Sequence, residues 1–235
     1  MCPDIIKTTE DMVKDYMKSF DPSHDFHHIE RVRKLAMELA RDLMDKGEYL
    51  DLEVVALAAL CHDIGDPKYY QGIVTGGDIV SSFLTQKGYE TAKANWVARI
   101  VNHVGFRKEL AWDDAKDDPL AVNWRNTCLE LHVVQDADKL DAIGAFGIMR
   151  CSAYSGKINV PLYDPDLDPV HNITKDQYEQ QTVNKNGSAI NHFHEKLLRL
   201  SSMLRTPKGK ILGKQRHEFM ELFVNQINKE YKMES

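Results

Sequence analysis

Residues 51–63 read DLEVVALAALCHD, a run apolar on almost every side that closes on His62 and Asp63, with Asp66 three residues further on. A helix that is apolar all round belongs in a protein interior. An unpaired carboxylate does not, because burying its charge without a partner is expensive. The chain must therefore fold so that other helices surround this run. Its charged end must then either meet a cation or reach solvent.

The remaining sequence supplies helices to do the surrounding. Residues 9–20 start acidic and read as a short helix. In "DPSHDFHH", Asp21, Pro22 and Ser23 break that helix and offer a new N-cap. Ile29, Val32, Leu35, Ala36, Leu39 and Leu43 then recur at helical spacing up to Gly47. The central run spans 51–63 and stops at Gly65 and Pro67. "TGGD" opens a helix ending near Gly88, and 90–104 forms another, with Trp96, Val97, Ile100 and Val101 inward. Residues 106–125 read as a loop with short helical pieces, and 126–154 as one long helix kinked near Gly144 or Gly147. Residues 156–173 carry Pro161, Pro165 and Pro169 and read as a loop, followed by helices over 188–204 and 207–231. No strand-period run competes, and no repeat or linker divides the chain. The expectation is an all-α protein of one domain over 1–235, with a core at about 20–150 and C-terminal helices at about 188–231 packed on it.

Composition removes several function classes. The net charge of −6 gives no global attraction to nucleic acid or anionic membranes. No apolar stretch is long enough to span a bilayer, and the N-terminus lacks the apolar core of a signal peptide. Cys2, Cys61, Cys128 and Cys151 form no CxxC pair and suggest no disulfide framework. A reducing cytoplasmic location follows, with nuclear access open. Asn-x-Ser/Thr matches at Asn172 and Asn186 then carry little meaning.

The placement of histidines and carboxylates carries the chemistry. His24, His27 and His28 crowd the start of the first long helix, His62 and Asp63 close the central run, and Asp136, Asp138 and Asp141 lie further on. Imidazole and carboxylate together suit a borderline or hard divalent ion, and a catalytic site leaves positions open for water and substrate. Taken singly, each is commonplace: a histidine near a helix start, a His-Asp dipeptide, an Asp-x-Asp on a solvated face. In this order, between apolar helices, they are much less so.

The order resembles the H…HD…D pattern of the HD-domain metal-dependent phosphohydrolases. "SHDFHHIERV", "LAALCHDIGD", "VQDADKLDAIGAFGI" and the late "HFHEKLLRL…RHEFMELF" look like a subgroup of small HD hydrolases, from about residue 20 to the C-terminal helix. The resemblance implies an HD-type helical bundle with the metal site between its central helices. It implies one divalent ion on His28, His62, Asp63 and Asp138, manganese or magnesium first, with cobalt, nickel, zinc or iron(II) as alternatives. Asp138 is preferred to Asp136 because the family's last Asp precedes a basic residue, as Asp138 precedes Lys139. Asp66 matches a family position for proton transfer, with capping of the turn before Pro67 as the competing role. Lys139 matches a phosphate-contacting position. His24, Lys68 and His103 are further phosphate, leaving-group or proton-transfer candidates, although His103 also reads as a core-edge residue.

The implied partner is a small phosphate compound, a nucleotide first, with a homodimer admitted and membranes and nucleic acid disfavoured. The subgroup suggests a (deoxy)nucleoside triphosphate cleaved to monophosphate and pyrophosphate. One rival is a two-metal HD oxygenase using His103 and His132. However, His132 is six residues before Asp138, about 120° away on one helix at ~100° per residue. The other rival is a non-catalytic nucleotide-binding module.

Overall fold

The computed structural model describes residues 4–171, 173–184 and 187–234, with the side chains of 181–184 excluded. Cys2, Asn172 and Asn186 lie outside the described residues. Among the described residues the secondary structure is helical throughout, as expected. The chain divides into two compact units, residues 1–20 with 24–138, and 21–23 with 139–235.

The first unit is built around α3 (Leu52–Cys61). Asp51 caps it by accepting from the amides of Glu53 and Val54, and every residue from Val54 to Cys61 is buried. Around it pack α1 (Ile5–Tyr16), α2 (Phe26–Met44) and α5 (Thr91–Val101). A helix with no polar face has no other stable place. Helix α1 begins earlier than the acidic pattern suggests, because the Asp4 carboxylate accepts from the amides of Ile6 and Lys7. The N-cap of α2 is Asp25, not Ser23; its carboxylate accepts from the His28 amide at 3.1 Å, which sets His28 in the first turn.

Helix α3 ends two residues short of the expected boundary, and residues 62–65 form a turn. Gly65 takes φ +78° in that turn and lies against Gly76, the first residue of α4 (Gly76–Gln86). A side chain at either glycine would collide with the other segment's backbone. The "TGGD" segment therefore holds the HD turn from outside, with Thr75 as N-cap of α4. Residues 106–127 carry the short helices α6 (Phe106–Glu109) and α7 (Pro119–Thr127).

The expected long helix over 126–154 is two helices, α8 (Leu129–Asp141) and α9 (Gly144–Ile158). Gly144 has φ +74°, which a continuous right-handed helix cannot contain. The boundary between the two units falls inside α8, between Asp138 and Lys139.

In the second unit α9 packs against α11 (Ala189–Glu195) and α12 (Pro207–Lys232). A 3₁₀ segment, Leu197–Met203, joins α11 to α12, and Thr206-Pro207 forms the cap and first residue of α12. Arg150 of α9 donates to the Ser23 carbonyl at 2.6 Å and pairs with Asp141 at 3.1 Å. Lys157 pairs with Asp21 at 2.8 Å. A further helix, α10 (Lys175–Asn184), lies where the sequence shows no periodicity.

Candidate metal centre

Two helices and one turn bring the H…HD…D residues to one place in the first unit. His28 comes from the first turn of α2, His62 and Asp63 from the turn after α3, and Asp138 from α8. His28 Nε2 and His62 Nε2 face each other at 3.2 Å. Asp138 Oδ1 lies 3.8 Å from the first and 3.7 Å from the second. Asp63 approaches with Oδ2 at 3.3 Å from His28 Nε2 and Oδ1 at 3.5 Å from His62 Nε2. His28 is fully buried and His62 is 3 % exposed, so water does not carry these groups' charges for them.

The donor set fits a divalent ion on three observations. Ligand atoms held at ~2.0–2.2 Å from one ion stand roughly 3.0–3.5 Å from each other, which is close to the separations observed here. His62 Nδ1 donates to the Ala59 carbonyl at 2.8 Å, so its proton sits on Nδ1. Such a bond orients a ligand imidazole and leaves Nε2 as the donor lone pair. Asp63 Oδ2 is buried without a hydrogen-bond partner among the described residues, although His28 Nε2 is near it. Two Nε2 atoms and a carboxylate oxygen without a hydrogen-bond partner converge on one point, an arrangement that a cation satisfies. Burial opposes the charge on Asp63, but the adjacent His62 and His28 outweigh it and hold the carboxyl well below the usual carboxylate range.

The ligand atoms of His28, His62 and Asp138 all lie within 4.8 Å of one another; neither Asp63 nor Asp136, the latter fully buried on α8, is in that group. Asp66 follows on the turn, where its Oδ1 accepts from the Lys68 amide at 2.8 Å and caps residues 66–70. Lys68 Nζ donates to His24 Nε2 at 3.0 Å, and the His24 ring is 6.2 Å from that of His28. Lys139 is buried at 3 % exposure and belongs to the second unit.

His103 sits elsewhere in the first unit. Its Nδ1 donates to the Arg99 carbonyl at 2.7 Å, and its ring lies 4.8 Å from Trp124 and 6.3 Å from Trp112. Burial lowers its pKa and keeps it neutral. His132 Nε2 donates to the Arg125 carbonyl at 2.7 Å. Neither histidine joins the ligand group among the described residues. His27 pairs with Glu30 on the surface. Sequence reading passes over Tyr16, whose hydroxyl accepts from the Gly65 amide at 3.2 Å. It also passes over Lys108, whose amine donates to the Val101 carbonyl at 2.8 Å and has its pKa lowered by burial.

The HD domain family matches residues 25–143. YpgQ of Bacillus subtilis is 31% identical over 93% of this chain and 89% of its own. Its crystal structure in complex with ADP superposes with a TM-score of 0.65, covering 94% of this chain and 97% of that one. A Lactobacillus plantarum protein, 29% identical, covers both chains fully at a TM-score of 0.81. An HD-superfamily hydrolase of Bacillus thuringiensis, 28% identical, covers 99% of each at 0.66. HD domains bind divalent metals, and no helix among the described residues is long and apolar enough to cross a membrane. This chain belongs to the HD domain family.

Proposed function

We propose that this chain is a divalent-metal-dependent phosphohydrolase acting on a nucleotide, cleaving a nucleoside triphosphate to monophosphate and pyrophosphate. The convergence of His28, His62 and Asp138, with the orphaned oxygen of Asp63 beside them, carries the reading. Those four residues are the proposed ligands of one ion, manganese or magnesium first. Bound there, the ion would acidify a water and shield charge on a phosphate oxygen. Nucleotide recognition is supported by a relative: YpgQ, 31% identical, has been crystallised with ADP.

Asp66 is the proposed proton acceptor. Its Oδ1 is engaged by the Lys68 amide, and the other oxygen remains for an attacking water. The water's oxygen would bond to the α-phosphorus, the bond from that phosphorus to the bridging oxygen would break, and the water's proton would pass to Asp66. His24 and Lys68 are the proposed phosphate contacts, with Lys139 as a third. His103, neutral and donor-fixed at Nδ1, is the alternative proton carrier. Among the described residues Cys61, Cys128 and Cys151 are free thiols, which supports a reducing, cytoplasmic setting.

The test is a product assay over a nucleotide panel with manganese, magnesium, cobalt, nickel, zinc and iron(II), measuring phosphate and pyrophosphate separately. Pyrophosphate release from a triphosphate is the expected result. No phosphate product from any nucleotide, with oxygen uptake on iron loading, would replace this reading with the two-metal oxygenase.

A further inference from the structure

The last residue of α1 is Tyr16, and Phe20 follows just beyond the helix. Val13 and Met17 are buried and anchor this end of α1 in the first unit. Tyr16 and Phe20 meet edge to face, with ring centroids 5.6 Å apart. Both also reach the segment that follows α3. The Tyr16 hydroxyl accepts from the Gly65 amide at 3.2 Å, and the Phe20 ring stacks on Tyr69 at 4.0 Å between centroids, 16° from parallel. Asp66 lies in the chain between these two fastened points.

Asp66 is bonded within its own segment. Its amide donates to the Asp63 carbonyl at 3.1 Å, its carbonyl accepts from the amides of Tyr69 at 3.0 Å and Tyr70 at 2.9 Å, and its Oδ1 accepts from the Lys68 amide. Such bonds give residues 63–70 their shape but do not set where that shape lies. Its place is set from outside. Gly65 has no room for a side chain, because a Cβ there would stand 2.7 Å from the Gly76 backbone. A hold at this point has to use the backbone, and Tyr16 takes the Gly65 amide.

We infer that Tyr16 and Phe20 are positioning residues, which clamp residues 63–70 on either side of Asp66 and fix where its carboxylate stands relative to Asp63. This rests on the phosphohydrolase reading and deepens it. The competing role is structural: Tyr16 satisfies a backbone donor, and Phe20 fills space against the turn.

Tyr16→Phe in the full chain removes one oxygen and separates the two. A structural role would lower the melting temperature and leave turnover alone. A positioning role has three further readouts. On metal-free protein, NMR should show the Gly65 amide exchanging ~3- to 10-fold faster, the worth of one hydrogen bond. With manganese and a nucleoside triphosphate, kcat should fall ~10- to 100-fold, the cost of a reacting group misplaced by up to about 1 Å, and KM should change less. In the Asp66→Asn background Tyr16→Phe should cost less than about threefold, because effects that pass through one residue do not add. Phe20→Leu should lose turnover in the same way, and Phe20→Tyr, which keeps the stacked ring, should recover it. Wild-type turnover in both Tyr16→Phe and Phe20→Leu overturns the inference. So does an undiminished loss in the Asp66→Asn background, or unchanged exchange at Gly65. If exchange quickens in the variant while wild type hydrolyses no nucleotide, the clamp stands and the phosphohydrolase reading fails.

Discussion

His62 and His103 occupy matching positions on two helices and meet different company. Each follows an apolar helix, α3 or α5, and each donates Nδ1–H to a carbonyl about one turn back, to Ala59 at 2.8 Å and to Arg99 at 2.7 Å. The tautomer is therefore the same. Yet His62 Nε2 opens onto His28, Asp63 and Asp138, while the His103 ring lies against Trp124 and Trp112. The difference arises outside both helices. α2 and α8 bring ligands to the end of α3; α7 and the turn before it bring indoles to the end of α5. A histidine's place on its helix prepares a lone pair, and the elements folded over it decide whether a cation or a ring fills the space.

The comparison breaks most readily at His62. His62→Ala should remove the ion and abolish hydrolysis, whereas His103→Ala should keep the ion at wild-type occupancy. Manganese at about 100 times its Kd should stabilise wild type by ~2.7 kcal/mol and leave His62→Ala unchanged in denaturant unfolding. Equal stabilisation of both would erase the distinction between the two histidines.

A narrower contrast lies within α8. Losing an outer partner of a ligand typically costs ~10–100-fold in metal affinity, so loss of a direct ligand in Asp138→Ala should cost more. Asp136→Ala should cost less than Asp138→Ala in the same manganese titration. The opposite order would exchange their assignments.

Asp66→Asn asks whether the capping carboxylate also moves a proton. Asparagine preserves the acceptor for the Lys68 amide, so fold and metal content should persist while kcat falls ~10²–10⁴-fold and the pH–rate profile loses a limb. Activity close to wild type would leave Asp66 as a cap and return the proton to His103, His24 or solvent.

The smallest effect sharpens the His103 side. Its folded pKa lies below the ordinary 6.5 because burial disfavours the imidazolium. At pH above 6.5 both folded and unfolded forms are neutral and its contribution is intact. As pH falls from there toward the folded value the unfolded chain takes up the proton first, and stability is lost. His103→Phe should therefore lose less stability than wild type over that acid window. Parallel melting curves for the two would mean that His103 is not held neutral by its surroundings.

Much of the helical architecture is legible in the sequence because its cues are local. The apolar run of α3, the Asp51 cap and the Thr75-Gly-Gly-Asp start of α4 each act within a few residues. The break between α8 and α9 is less so: Gly144 is visible, but its positive φ depends on where the chain turns, and a side chain there would also meet Arg216. Helix α10 is largely polar and shows no period, so nothing in its composition announces it. At the site, the sequence order pointed to four residues through a family pattern, and the folded chain brings their donor atoms close.

One divalent ion on His28, His62, Asp63 and Asp138 underlies all of the proposed chemistry. Counting manganese per chain by elemental analysis after dialysis tests it directly, with wild type and Asp63→Ala side by side. One ion per wild-type chain and none in the variant is the expected result. Two ions per wild-type chain, or an undiminished one in Asp63→Ala, would contradict it.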